Sequence, residues 1–340
     1  MNGGTATGVL PVVHSVPTAA SIGAAVETAY AVGRVVDCHL IRRGFNDVYG
    51  VALEDGRRLV ARLSAVRLRG PHNNAYELAL LAHLHAQGGP VAAPRRPVAG
   101  GDCITLRAAE GPRALAVFEH LSGDPPGEVT ADIERTGAGL AHLHQGAQGY
   151  AGPPSLYTLD LAHLLDRPLQ WLLSARTVDA ALHADFTALA GELGARIRAM
   201  PLLSQAHVHG DCHGGNNFMD DGPHGRRRAV FFDFDDAGPG YLAYDLAVFL
   251  WNRLLRLSSA TLDNDGTEKW QAFLRGYRSV RALPEPDFDA IAAFVSVRHF
   301  WFMGEFAGRA PAWGTQALPA TWLRRQVELL RAWGPLTTPT

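Results

Sequence analysis

With 340 residues the chain exceeds what one compact core serves well and suits two lobes. Its 47% hydrophobic and 19% charged residues exclude a disordered or fibrous chain. A formal net charge of -2 excludes the basic field needed to hold nucleic acid or an anionic membrane.

Of 31 basic residues only Lys269 is a lysine, a bias of the whole chain. Cys38, Cys103 and Cys212 are widely spaced and form no CxxC pair, which points to reduced thiols and a cytoplasmic protein. Residues 1–26 hold no charged side chain, but they lack a basic start and are interrupted by Pro11 and Pro17. They read as a tail leading into a helix, not as a targeting segment. No stretch is long and apolar enough to span a bilayer.

In chain order, Thr18–Val32 reads as a helix capped by Thr18 or Ser21. Short β-type runs follow: Cys38–Ile41 and Val48–Leu53 around Gly44, Phe45 and Asn46, then Arg58–Leu63 after the turn at Glu54–Arg57. Asn74–Ala86 has helical spacing and stops at Gly88-Gly89-Pro90, and Ile104–Leu106 and Leu115–Phe118 add two strands. From Glu128 the texture is helical, in segments 131–145, 159–174, 179–200, 242–257, 267–275, 287–306 and 321–332. One non-helical island, Ala206–Phe234, interrupts it with two apolar strands around a His/Asp/Asn-rich loop. The expected fold class is α+β: a tail and helix over 1–36, a β-rich lobe over 37–120, and a helical lobe over 121–340.

The island carries the chemistry. His207-Val-His209-Gly210-Asp211-Cys212-His213-Gly214-Gly215-Asn216 precedes Phe231-Phe232-Asp233-Phe234-Asp235-Asp236. Phosphoryl transfer from ATP needs a carboxylate to take or orient the acceptor's proton, and oxygen ligands to hold magnesium on the phosphates. Kinases set the first carboxylate and an amide ligand as D-x-x-x-x-N, with a metal-binding aspartate after the next strand. Asp211 and Asn216 have that spacing, and Asp233 closes the apolar strand Ala229–Phe232.

These residues resemble the catalytic and metal loops of the aminoglycoside phosphotransferase and choline kinase superfamily. The likeness extends to Tyr244-Asp245-Leu246-Ala247 after the metal loop and to Leu140–His144 before the catalytic segment. It implies a two-lobed, protein-kinase-like fold and ATP as phosphoryl donor. Gly44, Phe45 and Asn46 would then cover the phosphates, and Arg62, opposed by Glu77, would stand where a lysine is usual. The segment through Glu119 and Leu121 would be the hinge that takes adenine. Arginine cannot deprotonate and grips phosphate as a fork, so it can do the charge work. Asp211 would be catalytic, with Asn216 and Asp233 holding Mg2+. The family's acceptors include antibiotics, choline, homoserine and sugars, and fold alone does not choose among them. Asp235, Asp236, His213, Trp251, His299 and Trp301 are the candidate acceptor residues. Acids beside aromatic rings suit a small, hydroxyl-bearing, neutral or cationic acceptor. Asp245 and His209 read as braces of the catalytic loop.

Other chemistries compete at the same residues. His207, His209, Asp211 and His213 nearly reproduce an H-x-H-x-D-H zinc signature, and in one extended strand they would share a face. The same catalytic loop also serves kinases of protein hydroxyls, and a catalytically dead nucleotide-binding protein would keep part of it.

Overall fold

The computed structural model describes residues 10–66, 72–222 and 225–340, so residues 1–9 of the expected tail lie outside the described residues. The chain divides into two compact units, Met1–His72 with Arg95–Phe118, and Asn73–Pro94 with Glu119–Thr340. The division differs from the expected one in two elements, and the first is the helix Ala19–Ala29, which groups with the sheet. The helix α2 (Asn74–Ala86) groups with the second unit.

The first unit begins with α1 (Ala19–Ala29), whose first turn is closed by the Thr18 hydroxyl accepting from the Ser21 N–H at 3.3 Å. The strands β1 (Val35–Arg43), β2 (Asn46–Leu53), β3 (Arg58–Ser64), β4 (Pro94–Arg95), β5 (Ile104–Ala108) and β6 (Gly111–Glu119) form one sheet. Its order is β1-β2-β3-β6-β4, with β5 also pairing β6. Alternate residues bury one face: Tyr49, Val51 and Leu53 on β2; Leu59, Ala61 and Leu63 on β3; Leu115 and Val117 on β6. Ile22 and Val26, one helical turn apart, close that face from α1, so residues 19–29 belong to the sheet's core and not to a tail. Each buried Val, Leu or Ile side chain contributes about 1.5–3 kcal/mol by leaving water. Buried Arg113 donates to Asp47 Oδ2 at 2.7 Å and to the Ser64 and Ser15 carbonyls at 2.8 Å, tying the incoming chain to the start of β2.

The second unit holds α2, α3 (Thr130–Gly146), α4 (Arg167–Leu173), α5 (Ala180–Arg198), α6 (Leu242–Leu257), α7 (Asn264–Val280), α8 (Glu285–Gly308), the single turn α9 (Ala310–Trp313) and α10 (Ala320–Trp333). The expected helix over 159–174 begins instead as a π turn, Ala162–Asp166, before α4. Pro168 lacks an N–H and occupies the first turn of α4. α8 is apolar around its circumference and correspondingly buried. α3 and α7 cross so closely that a Cβ on Gly276 would lie 1.8 Å from the Glu134 carbonyl. Among the described residues no helix is long and apolar enough to cross a membrane.

The island holds more β-structure than its sequence suggests. β7 (Gln205–Val208) pairs antiparallel with β10 (Gly238–Tyr241), and β8 (Asn217–Asp220) pairs with β9 (Arg228–Phe231). Gly238-Pro239-Gly240 reads as a turn by composition, yet it lies against β7 as the edge of a two-stranded ribbon, where proline is tolerated.

Candidate active site

Two ribbons present the site. The catalytic loop leaves β7 and enters β8, while the metal loop leaves β9 and enters β10. Asn217 pairs with Phe231, and the Phe232 N–H donates to the Asn216 carbonyl at 3.0 Å. The residue before Asp233 is thereby bonded to Asn216, so the two expected metal ligands come from adjoining points of one ladder. Gly210, at φ 82°, is required by a close approach: a Cβ there would sit 2.3 Å from the Asp236 carbonyl.

Buried Asp245, in the first turn of α6, accepts from the backbone N–H groups of His209 and Gly210, both at 2.8 Å. It also takes a bond from His144 Nε2 at 2.9 Å. Burial opposes its ionisation, but His144 and the His209 N–H hold its carboxyl below the usual range. His209 Nδ1 accepts from the Asp211 N–H at 3.2 Å, and its Nε2 meets the Phe232 carbonyl at 3.1 Å. Both residues are the braces the sequence suggested, joining catalytic loop, metal loop and α6.

The Asn216 side-chain amide donates to the Asp211 carbonyl and to Asp211 Oδ2, each at 3.0 Å, which directs its oxygen elsewhere. Asp233 is in the left-handed region, φ 64° and ψ 57°, a conformation aspartate tolerates at some cost. An amide oxygen and a carboxylate make a hard, all-oxygen donor pair of the kind magnesium takes beside substrate phosphates. Among the described residues no group of three His, Cys, Asp or Glu side chains could hold a metal. The zinc arrangement fails for a geometric reason: His207 Nδ1 is bonded to the Tyr76 hydroxyl at 2.7 Å and His209 is spent on the loop backbone.

Of the acceptor candidates, His213 is half-buried with Nε2 3.7 Å from Asp211 Oδ2, and burial lowers its pKa. Asp235 and Asp236 are buried in a single turn after Asp233, where the Asp235 carbonyl accepts from the Tyr157 hydroxyl. His299 is in the core: Trp251 Nε1 donates to its Nδ1 at 3.1 Å, so Nε2 carries the proton toward Gln326 Oε1 at 3.0 Å. Its burial pushes it down to about 4.

Sequence reasoning missed Arg298. This α8 residue is buried and donates to the Gly210 carbonyl at 3.3 Å, to the Tyr244 hydroxyl at 3.4 Å and, through Nη2, to Asp211 Oδ1. Its guanidinium carbon lies 4.9 and 4.2 Å from the ring centres of Trp251 and Trp301. Burial alone would lower its pKa, but Asp211 and Tyr244 raise it and keep the cation. The expectation that these two tryptophans offer their faces to a cationic acceptor therefore meets a cation of the protein's own. The available signal was one arginine within an apolar run, Ile291–Trp301.

In the first unit, Gly44 and Phe45 form the two-residue turn between β1 and β2, and Asn46 Oδ1 accepts from the Ala65 N–H at 3.2 Å. Arg62 is buried on β3, its guanidinium 5.3 Å from the Phe118 ring centre. Glu77 is buried on α2 in the second unit. The chain passes from the first unit to the second at Phe118/Glu119, as it also does at His72/Asn73. The Glu119 N–H is bonded to the Ala93 carbonyl, and Leu121 is half-buried just beyond. The sole lysine, Lys269, is on α7 and donates to the Thr130 hydroxyl at 2.9 Å.

The profile of the family described as "Phosphotransferase enzyme family" matches residues 37–283. The chain belongs to this family. The phosphotransferase is 36% identical over 324 residues to an uncharacterized protein of Deinococcus radiodurans, covering 95% of this chain and 92% of that one. It is 28% identical over 289 residues to the homoserine kinase of Pseudomonas aeruginosa, covering 83% and 84%. A solved amicoumacin kinase, in complex with AMP-PNP, Ca2+ and Ami, superposes with a TM-score of 0.73 at 19% identity, covering 94% of this chain and 96% of that one. That likeness shows the fold, the kinase-like two-part arrangement of a small antiparallel sheet and a helical region.

Proposed function

We propose that this phosphotransferase is an ATP-dependent kinase that moves the γ-phosphoryl group to a hydroxyl of a small molecule. The observation that carries the reading is the joint placement of Asp211, Asn216 and Asp233. A braced loop holds the carboxylate, and a backbone bond joins Asn216 to Phe232, the residue before Asp233, which supports the two as a ligand pair. Asp211 orients the acceptor hydroxyl and takes its proton as the oxygen bonds to the γ-phosphorus. The bond from phosphorus to the bridging oxygen breaks, and that oxygen leaves with its electron pair on ADP. Asn216 and Asp233 hold magnesium. The ion, when bound, offsets the charge on the phosphate oxygens.

Arg62 grips the α- and β-phosphates. It replaces the usual lysine in a chain whose one lysine is engaged on α7. The turn at Gly44, Phe45 and Asn46 covers the phosphates, and the backbone from Glu119 to Leu121 takes the adenine edge. The acceptor is neutral or cationic, a preference that now rests on Asp235 and Asp236, since Trp251 and Trp301 already face Arg298. A relative named homoserine kinase supports a small hydroxyl-bearing acceptor of no net charge.

The test couples a screen of hydroxylated metabolites and antibiotics, read by ADP release, to Asp211→Asn. Loss of at least ~10²-fold in kcat with AMP-PNP affinity retained is expected, since a positioned proton acceptor contributes ~10²–10⁴. Activity within ~10-fold of wild type would remove Asp211 from the chemistry. Turnover only with a protein acceptor would overturn the small-molecule reading.

A further inference from the structure

Arg298 costs several kcal/mol to bury unless its charge is met, and the catalytic loop and α6 meet it through the two terminal nitrogens, while Nε has no hydrogen-bond partner among the described residues. The Gly210 carbonyl, Asp211 Oδ1 and the Tyr244 hydroxyl take its N–H groups. Trp251 from α6 and Trp301, one turn along α8, lie against the guanidinium. Its position is thus set by two helices before any ligand arrives. The two oxygens of Asp211 consequently differ. Oδ1 belongs to Arg298. Oδ2 is approached by the Asn216 amide at 3.0 Å and by His213 Nε2 at 3.7 Å.

We propose that Arg298 is the positioning residue of this phosphotransferase: it fixes the Asp211 carboxylate by Oδ1, so that Oδ2, on the side of Asn216, is the oxygen that meets the acceptor hydroxyl. The proposal rests on Asp211 being the phosphotransfer carboxylate. Arg298 touches neither nucleotide nor acceptor in this scheme. It acts through a charge-assisted bond that removes the rotational freedom of the one group whose direction the reaction depends on.

Positioning and mere core support separate experimentally. With magnesium-ATP and L-homoserine, or the best compound of the acceptor screen, as probe, Arg298→Gln lowers kcat by ~10²-fold, the scale set by small misplacements of reacting groups. AMP-PNP affinity and acceptor KM stay within about threefold, and Arg298→Lys recovers part of kcat because it keeps the charge. In an Asp211→Asn background Arg298→Gln costs less than ~3-fold more, because the group it positions is already disabled. A multiplicative double mutant, or a Gln variant with wild-type kcat, overturns the proposal. Crystal structures of the Gln and Lys variants with AMP-PNP supply an arm independent of turnover. The Asp211 carboxylate should swing away from its wild-type direction in the Gln variant and keep it in the Lys variant, and an unmoved carboxylate in the Gln variant refutes the idea. A wild-type protein that binds no AMP-PNP and turns over no probe would fail the phosphotransfer reading, and the variant structures would still decide the Arg298–Asp211 link.

Discussion

His299 shows how a single residue's environment reassigns it. In sequence it stands in an aromatic helix near the chemistry, which makes it a natural ligand contact. In the fold both ring nitrogens are used inside the core, by Trp251 and Gln326. This makes a pH signature. The unfolded imidazole takes up a proton near pH 6.5 and the folded one near pH 4, so acidification across that window favours the unfolded chain. Stability should be complete above pH 6.5 and fall by about 3 kcal/mol toward pH 4 from this group alone. Urea unfolding at several pH values checks it. His299→Gln, which still accepts and donates, should flatten the slope between pH 4.5 and 6.5, and an unchanged slope would place the proton uptake elsewhere. Arg298, one residue earlier, makes the converse point: a cation stays charged in the core because Asp211 lies beside it.

The helices were legible from their periodicity because burial on one face sets a 3.6-residue repeat. α2 and α6 match their expected limits, Asn74–Ala86 and Leu242–Leu257. The π turn at Ala162–Asp166 was not legible, since its apolar residues fit an α pattern equally well. The Gly-Pro-rich β10 was missed for a different reason, that pairing with β7 overrides local turn preference. Small residues at Gly137 and Gly276 became meaningful only once α3 and α7 were seen to cross, with a Cβ on Gly137 only 2.0 Å from the Phe273 carbonyl. Gly276→Ala should therefore force the two helices apart and cost about 3 kcal/mol, the upper range for overpacking. Chemical denaturation measures it, and a loss below about 0.5 kcal/mol, typical of a surface site, would show that the crossing is loose.

At the scale of the whole molecule, nucleotide and metal binding should appear as stability. A ligand bound only by the folded state at 100 times its Kd adds about 2.7 kcal/mol. AMP-PNP with magnesium should raise the thermal unfolding temperature, and AMP-PNP with EDTA should raise it less. Asp233→Ala should erase the magnesium-dependent increment while keeping part of the nucleotide's, because the phosphate contacts proposed for Arg62 would remain. A wild-type transition that ignores magnesium would contradict the assignment of Asn216 and Asp233. Zinc replacing magnesium in this role would revive the histidine cluster, against the bonds that hold His207 and His209.

The residues proposed for the chemistry could be read from sequence because Asp211, Asn216 and Asp233 lie close together in the chain, and local spacing is what a sequence displays. Alternating apolar residues likewise determined the sheet, the Asp-Gly signal the turn between β2 and β3, and Gly-Gly-Pro the end of α2. Only the tertiary structure could decide what faces those residues. The Arg298–Asp211 pair spans 87 positions and the Asp245 brace 35, and no periodicity links residues so far apart. The tryptophans read as candidate acceptor contacts because sequence records that a ring is present, not what occupies its face. Packing α8 against α6 places an arginine there, and with it the charge that meets Asp211.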